Sequence, residues 1–285
     1  MQIIIVDDEP VSLTVLKQLV EKQPQCHVRG FTQASAALDW CSDNDPDVVI
    51  VGYVMPELNG IAFIERLRAL PGKRETPVLM VTANADLEVK AKALRAGIND
   101  FLNKPYDSHE LQVRVSNMLL LRSKQRNIPN RAFVAEEPVR RLAIANTPRG
   151  ETSVLLDLGM TLTRLGDDEA LLGQVARVFT RTAPTLLDSI GIALTSNNIE
   201  RAYEEAHSLK GAIAVFEAPD VFNSVVAIES EAIKYDCAAA IVAFHNATPL
   251  VQRLVSELAA LVPGAAGRRY RRLNRNSRRL YPSLP

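Results

Sequence analysis

Two adjacent carboxylates, a hydroxyl and a lysine are the first residues of this sequence whose types and positions suggest chemistry. Asp7 and Asp8 directly follow the apolar run 3–6, and Thr82 and Lys104 follow later apolar runs. Adjacent carboxylates at a strand end repel each other and favour a hard cation such as Mg²⁺. A hydroxyl and a lysine facing them suit a phosphoryl group carried beside that metal. The pattern indicates a phosphoryl site if the fold brings these strand ends together.

A second group of reactive types surrounds a histidine in the C-terminal half. His207 lies two residues before Leu209, about 200° around a helix, so it is expected to face away from the apolar stripe. Lys210 and Gly211, three and four residues later, are expected to share that exposed face. An exposed imidazole can act as a nucleophile near neutral pH, and the lysine can neutralise an incoming phosphoryl group. Glycine costs about 1 kcal/mol inside a helix, which favours a role in letting another protein approach.

The elements that must position these residues fall into two kinds. In residues 1–122, short apolar strands and amphipathic helices alternate five times, which predicts a doubly wound five-stranded parallel sheet of the α/β class. In such sheets the active crevice lies at the carboxyl ends of the strands. Residues 151–263 show helical stripes and short polar loops, which predict an all-α up-down helical bundle.

Charge divides the 285 residues more finely than hydropathy does. The net charge, counted as Lys and Arg residues minus Asp and Glu residues, is −3 over 1–122, +4 over 123–150, −8 over 151–263 and +7 over 264–285. We interpret these as a domain, a Pro-containing linker, a second domain and a basic, disordered tail. No apolar run is long enough to span a bilayer, and the three cysteines lack metal or disulfide-scaffold spacing. A cytoplasmic protein is expected.

Residues 1–122 resemble a two-component receiver domain, which has a flavodoxin-like fold. The matching residues are Asp7-Asp8, Met55-Pro56 with Gly60, Thr82-Ala83, Ala96-Gly97 with Asp100-Phe101, and Lys104-Pro105. The resemblance implies that Asp7 and Asp8 bind Mg²⁺ with help from the backbone carbonyl of Val54. It also implies that Thr82 and Lys104 contact the phosphoryl oxygens. Phe101 would be the switch aromatic, and Lys104-Pro105 would have a cis peptide bond.

One position departs from the receiver pattern. The phosphoacceptor aspartate belongs at residue 52, where this sequence has Gly52. Asp47 is expected at the opposite end of the strand and Glu57 on the far side of the loop, so neither can replace it. We therefore expect no aspartyl phosphate here and a weak or absent Mg²⁺ site. A natural pseudo-receiver and a replaced aspartate both remain open.

The stretch Ala206-His207-Ser208-Leu209-Lys210-Gly211 resembles the signature of histidine-phosphotransfer (HPt) domains, over about 165–261. The resemblance implies that His207 is the phosphoacceptor, that Lys210 supports the phosphate and that Gly211 gives steric access. Ala212 departs slightly from the pattern, since a serine often stands there.

Together the two resemblances predict a phosphorelay protein whose partners are a histidine kinase, a partner receiver, or both. The sequence has no ATP-binding motif, so a phosphotransfer intermediate is expected rather than a kinase. The main alternative is a non-catalytic adaptor that binds or sequesters kinase or receiver domains. Nucleic-acid binding is expected only if the Arg-rich tail supplies it.

Overall fold

The computed structural model describes residues 1–56, 58–82, 87–126 and 155–262. The chain forms two compact units, an N-terminal α/β unit and a C-terminal helical unit.

The N-terminal unit is a parallel sheet with alternating helices. Its elements are β1 (Gln2–Val6), α1 (Pro10–Glu21), β2 (His27–Phe31), α2 (Ala34–Asp43), β3 (Val48–Gly52), α3 (Gly60–Ala69), β4 (Val78–Thr82), α4 (Leu87–Ala96), β5 (Asp100–Asn103) and α5 (Ser108–Gln125). The strand order is β2-β1-β3-β4-β5, and all four pairings are parallel. The prediction of a five-stranded doubly wound parallel sheet is confirmed.

The central strands are apolar because helices cover both of their faces. Every residue of β3 and β4 is buried, and so are the last four residues of β1. Side chains also fix where the flanking helices begin. Asn59 accepts a hydrogen bond from the backbone N of Ala62 at the start of α3, and Asp107 does the same for Glu110 at the start of α5.

The C-terminal unit is a short helix followed by four long helices. Its elements are α6 (Leu158–Arg164), α7 (Glu169–Thr195), α8 (Ile199–Ile213), α9 (Pro219–Ile233) and α10 (Cys237–Ala259). Each of α7 to α10 packs on two others, in the ring order α7-α8-α9-α10. The up-down bundle is therefore confirmed, with α6 added to the predicted helices.

Two prolines lie inside long helices of this bundle. Pro184 lies within α7 and Pro249 within α10, and both helices continue through them. Both prolines are exposed, so the carbonyl that loses its hydrogen-bond donor can turn towards water while the opposite face stays packed.

Candidate functional site

The N-terminal sheet brings four of the predicted site residues to one edge. Asp7 directly follows β1, Gly52 ends β3, Thr82 ends β4 and Lys104 directly follows β5. Because all the strands are parallel, their carboxyl ends lie at the same edge of the sheet. The Lys104-Pro105 peptide bond is cis, as the receiver resemblance implies.

A lysine–carboxylate pair lies at this edge. Lys104 Nζ donates to Asp7 Oδ2 at 2.9 Å, with the side chains 13% and 2% exposed. The backbone N of Lys104 also donates to the carbonyl of Thr82, which fixes the lysine beside the end of β4. A carboxylate this buried needs a nearby positive charge. Lys104 therefore supplies a counterion to Asp7 from within the chain.

Two glycines at this edge have opposite structural requirements. A Cβ added to Gly52 would lie 3.6 Å from Met55 Cγ and 3.7 Å from Asp7 Oδ2, which are ordinary contacts, and the φ of Gly52 is not positive. A Cβ added to Gly60 would clash with the backbone oxygen of Gly52. The fold therefore requires glycine at 60, whereas position 52 has room for a side chain beside Asp7.

The residues present do not fit a three-carboxylate magnesium site. Gly52 offers no side-chain ligand, and Asp7 is already paired with an ammonium group. Within the described part of the chain, no three His, Cys, Asp or Glu side chains are grouped so as to hold a metal ion. Asp7, Asp8 and a backbone carbonyl such as that of Val54 remain as candidate ligands, so a Mg²⁺ ion bound here would take the rest of its six or so oxygens from water.

Other residues singled out in the sequence lie around or away from this edge. Val54 lies in the loop after β3, and Phe101 lies on β5, packed against the sheet core. Asp47 lies at the opposite end of β3, where it accepts from the backbone N of Gln2 and pairs with Arg126. Asp47 and Gly52 therefore lie at opposite ends of β3, as expected. Glu57 lies outside the described residues.

The second candidate site is formed by α8 and α9. His207 and Lys210 lie one turn apart on α8, and Glu229 projects towards them from α9. His207 Nδ1 lies 2.6 Å from Glu229 Oε1, and Lys210 Nζ donates to Oε1 at 2.7 Å and to Oε2 at 2.5 Å. The ring centroids of Tyr203 and His207 lie 6.0 Å apart. One carboxylate thus joins the imidazole to the ammonium group.

The negative charge of Glu229 determines which ring nitrogen of His207 carries the proton. Burial alone would raise the pKa of the Glu229 carboxyl, but the hydrogen bonds from His207 and Lys210 outweigh it and leave the pKa lowered. An ionised carboxylate has no proton to donate, so Nδ1 of His207 must be the donor of the hydrogen bond they share. We infer that the neutral ring carries its proton on Nδ1 and its lone pair on Nε2.

The prediction of an exposed face on α8 is wrong for Lys210, which is 8% exposed. The His207 side chain is 19% exposed, and Gly211 lies on α8 directly after Lys210. The helical-wheel argument considered α8 alone, whereas α9 packs against α8 and brings Glu229 to the lysine. Sequence reasoning missed Glu229. Its signal was an acid at helical spacing within the apolar stripe of α9, flanked by Val225 and Ile228.

Two predicted segments lie largely or wholly outside the described residues. The predicted linker 123–150 lies outside the described residues beyond Arg126, and the tail 264–285 lies outside them entirely. Among the helices that are described, none is both long and apolar enough to cross a bilayer.

Both halves of the chain match known protein families. Residues 3–116 match the model of the response regulator receiver domain, and residues 174–262 match that of the Hpt domain.

Individual relatives agree with these matches. The chain is 37% identical over 138 residues to the cyclic di-GMP phosphodiesterase response regulator RpfG of Xanthomonas campestris, covering 48% of this chain and 36% of the relative. It is 26% identical over 231 residues to the signal transduction histidine-protein kinase BarA of Escherichia coli, covering 81% of this chain and 24% of the relative. The chain thus spans about a third or less of these two relatives.

A solved structure is similar to the N-terminal unit. It is the receiver domain of the sensor histidine kinase PA1611 from Pseudomonas aeruginosa, at 27% identity and a TM-score of 0.39, with 41% of this chain and 96% of that domain covered.

Proposed function

Because residues 3–116 belong to the response regulator receiver family and residues 174–262 to the Hpt family, we propose that the chain is a phosphorelay intermediate that uses His207 as its phosphoacceptor. The phosphoryl donor is an aspartyl phosphate on a partner receiver domain, and the reverse step passes the group on. The partners are cytoplasmic histidine kinases or receiver proteins.

The observation that carries this proposal is the contact between His207 Nδ1 and Glu229 at 2.6 Å. With the proton held on Nδ1, the Nε2 lone pair is available for in-line attack on phosphorus. The Nε2–P bond forms as the P–O bond to the partner's aspartate breaks, and the bonding electrons leave with that carboxylate. The phosphorylated ring keeps its Nδ1 proton and becomes cationic, so the negative charge of Glu229 stabilises it.

Lys210 acts in this mechanism through Glu229. Its ammonium contacts both carboxylate oxygens, which keeps Glu229 ionised and therefore able to hold the Nδ1 proton. The ammonium also adds positive charge one helical turn from the incoming phosphoryl group. Gly211, the next residue, adds no side chain that would limit the approach of a partner.

We further propose that the N-terminal domain is regulatory or inactivated in this chain. Gly52 has no nucleophile, and the carboxylate of Asp7 is paired with Lys104 Nζ at 2.9 Å. No step of the reaction is assigned to Mg²⁺ on this domain. This observation also favours the second candidate function, an adaptor in which the receiver domain binds partners without being phosphorylated.

The deciding experiment is phosphoryl transfer from ³²P-labelled partner receivers to the full chain. We expect acid-labile label on the parent chain and on His109→Gln, a control at an exposed residue of α5, and none on His207→Gln. Label that persists on His207→Gln would reject His207 as the acceptor. Binding of a partner receiver without label on any chain, across several competent donors, would instead support the adaptor.

A further inference from the structure

The four long helices of the C-terminal domain leave a groove on the side away from His207. The helices follow one another around the bundle in the order α7-α8-α9-α10, so the α8/α9 pair that carries His207 and Glu229 lies opposite the α7/α10 pair. Between α7 and α10 lies a groove of about 840 Å³, lined by residues from Pro184 to Thr195 and from Ile241 to Ser256. We call it the α7/α10 groove.

The floor of the groove is formed where α7 and α10 pack closely. Gly191 has no side chain, and a Cβ there would lie 3.3 Å from the Phe244 ring, so this ring packs directly over the α7 backbone. Ile192 beside it remains 65% exposed, and the half-buried Ile241 adds further apolar surface. Contiguous apolar surface of this kind usually marks a binding site.

The segment that follows α10 begins near one mouth of this groove. Ser256 lines the groove, α10 ends at Ala259, and residues 264–285 follow directly. From Ser256 to Ile241 the groove runs along about 22 Å of helix. A segment of this length can extend about 70 Å, so it can fold back along the whole groove. Its attachment to α10 gives it a high effective concentration there.

The chemistry of that segment complements the groove and its surroundings. Residues 264–285 carry seven arginines and no acids, interspersed with five large apolar or aromatic residues, Tyr270, Leu273, Leu280, Tyr281 and Leu284. Residues 151–263 carry a net charge of −8, and the exposed Asp188 lies on the groove wall. Aromatic and leucine side chains suit the apolar floor, while guanidinium groups suit Asp188 and the net negative charge of the domain.

We propose that residues 264–285 bind in the α7/α10 groove of the same chain and cover its apolar surface. Because the groove lies opposite the α8/α9 pair, this contact leaves His207 accessible to a partner. The proposal concerns a surface that phosphotransfer does not use, so it stands or falls separately from the proposed function.

Methyl NMR of the full chain tests this directly, with the chain that ends at Pro263 as the comparison. That deletion keeps every described element. We expect the methyl signals of Ile192 and Ile241 to shift when the tail is removed, whereas those of Ile213 and Ile228, buried on α8 and α9, stay in place. Unchanged signals from both groove isoleucines would overturn the proposal.

A peptide of residues 264–285, added to the chain that ends at Pro263, identifies the occupant. We expect the peptide to return Ile192 and Ile241 towards their full-chain positions, and a scrambled peptide of equal composition to fail. Asp188→Asn should weaken peptide binding about threefold, as for one exposed ion pair. Equal shifts from both peptides would reject specific docking. Shifts that depend on protein concentration without any peptide would assign the groove to a second copy of the chain.

Discussion

The two candidate sites share a lysine–carboxylate pair and differ in whether a nucleophile stands beside it. Lys104 pairs with Asp7 in the N-terminal domain, and Lys210 pairs with Glu229 in the C-terminal domain. The C-terminal site adds His207 within hydrogen-bond distance of its carboxylate. The N-terminal site has Gly52 at the corresponding point. The comparison shows that the N-terminal domain has a charge arrangement that suits a phosphoryl group, but no nucleophilic atom at Gly52 that would carry this group.

The same comparison separates residues that serve the fold from residues that serve chemistry. Gly60 is required by the backbone of the β3–α3 loop, whereas nothing in the backbone at Gly52 requires glycine. The backbone at position 52 is therefore compatible with a side chain, whereas the backbone at position 60 is not.

The largest expected change is the gain of a phosphoryl site in Gly52→Asp. The new Cβ meets only ordinary contacts, and its carboxylate would lie beside Asp7, where Lys104 and added Mg²⁺ can offset the charge. We expect ¹⁹F NMR to show saturable beryllofluoride binding to the variant in the presence of Mg²⁺, and none to the parent.

Gly52→Asn is the matched control, since it has the same size and no carboxylate. It should resemble the parent. Beryllofluoride binding by the parent or by Gly52→Asn would show that the site works without an acceptor carboxylate, and would remove the distinction between the two domains.

The two lysines offer a second test, because each should stabilise its own domain alone. Replacing one partner of a buried ion pair costs about 3 kcal/mol or more. We expect Lys104→Met to lower the free energy of unfolding of the N-terminal domain, reported by the fluorescence of Trp40, the single tryptophan. Lys210→Met should instead increase hydrogen exchange in α8 and leave the Trp40 transition unchanged.

Lys234→Met is the control for this pair, since Lys234 is exposed and contacts Glu231 on the same helix. It should change stability by no more than about 0.5 kcal/mol. If Lys104→Met or Lys210→Met were equally silent, the carboxylate would not depend on its lysine, and the likeness between the two sites would be lost.

The glycine comparison predicts a smaller effect on stability. Gly60→Ala forces a Cβ towards the backbone oxygen of Gly52 and should destabilise the N-terminal domain by about 1–3 kcal/mol. Gly52→Ala should cost no more than about 0.5 kcal/mol, as for a substitution without a clash. Urea unfolding followed through Trp40 measures both. Equal destabilisation would mean that the backbone requires glycine at both positions.

The fold was predictable because its signals are local. The three central strands, β1, β3 and β4, are apolar runs, and the stripes of α7 to α10 have helical spacing. The edge that carries Asp7, Gly52, Thr82 and Lys104 then follows from parallel topology. α6 was missed because seven residues provide too little periodicity.

The C-terminal site was only half predictable, because half of it lies on another helix. His207 and Lys210 are neighbours in sequence, whereas Glu229 reaches them only through the packing of α8 on α9. A single helical wheel cannot show which face a neighbouring helix covers, so it places Lys210 in solvent. Finding Glu229 requires considering α8 and α9 together, starting from the acid inside the apolar stripe of α9.

The smallest expected effect concerns pH, and it would distinguish Glu229 from an ordinary surface acid. The folded protein lowers the pKa of Glu229, so this group stabilises the fold fully above its unfolded pKa, about 4.3. That contribution is lost as the pH falls through the lower folded pKa. Glu229→Gln has no such proton to bind, so its unfolding free energy should fall less steeply from about pH 5 downwards.

The measurement is hydrogen exchange of α8 in the full chain, between pH 6 and the lowest pH at which the domain stays folded. After correction for intrinsic exchange, it gives the slope of the unfolding free energy against pH for the parent and for Glu229→Gln. Glu231→Gln is the matched control, because Glu231 lies on the same helix in an exposed pair with Lys234. Its curve should run parallel to that of the parent, while the curve of Glu229→Gln converges on the parent curve as the pH falls. If the Glu229→Gln curve also stayed parallel, Glu229 would not be held ionised by His207 and Lys210. The charge that fixes the Nδ1 proton would then be missing, and the C-terminal site would differ from the N-terminal one only in possessing a histidine.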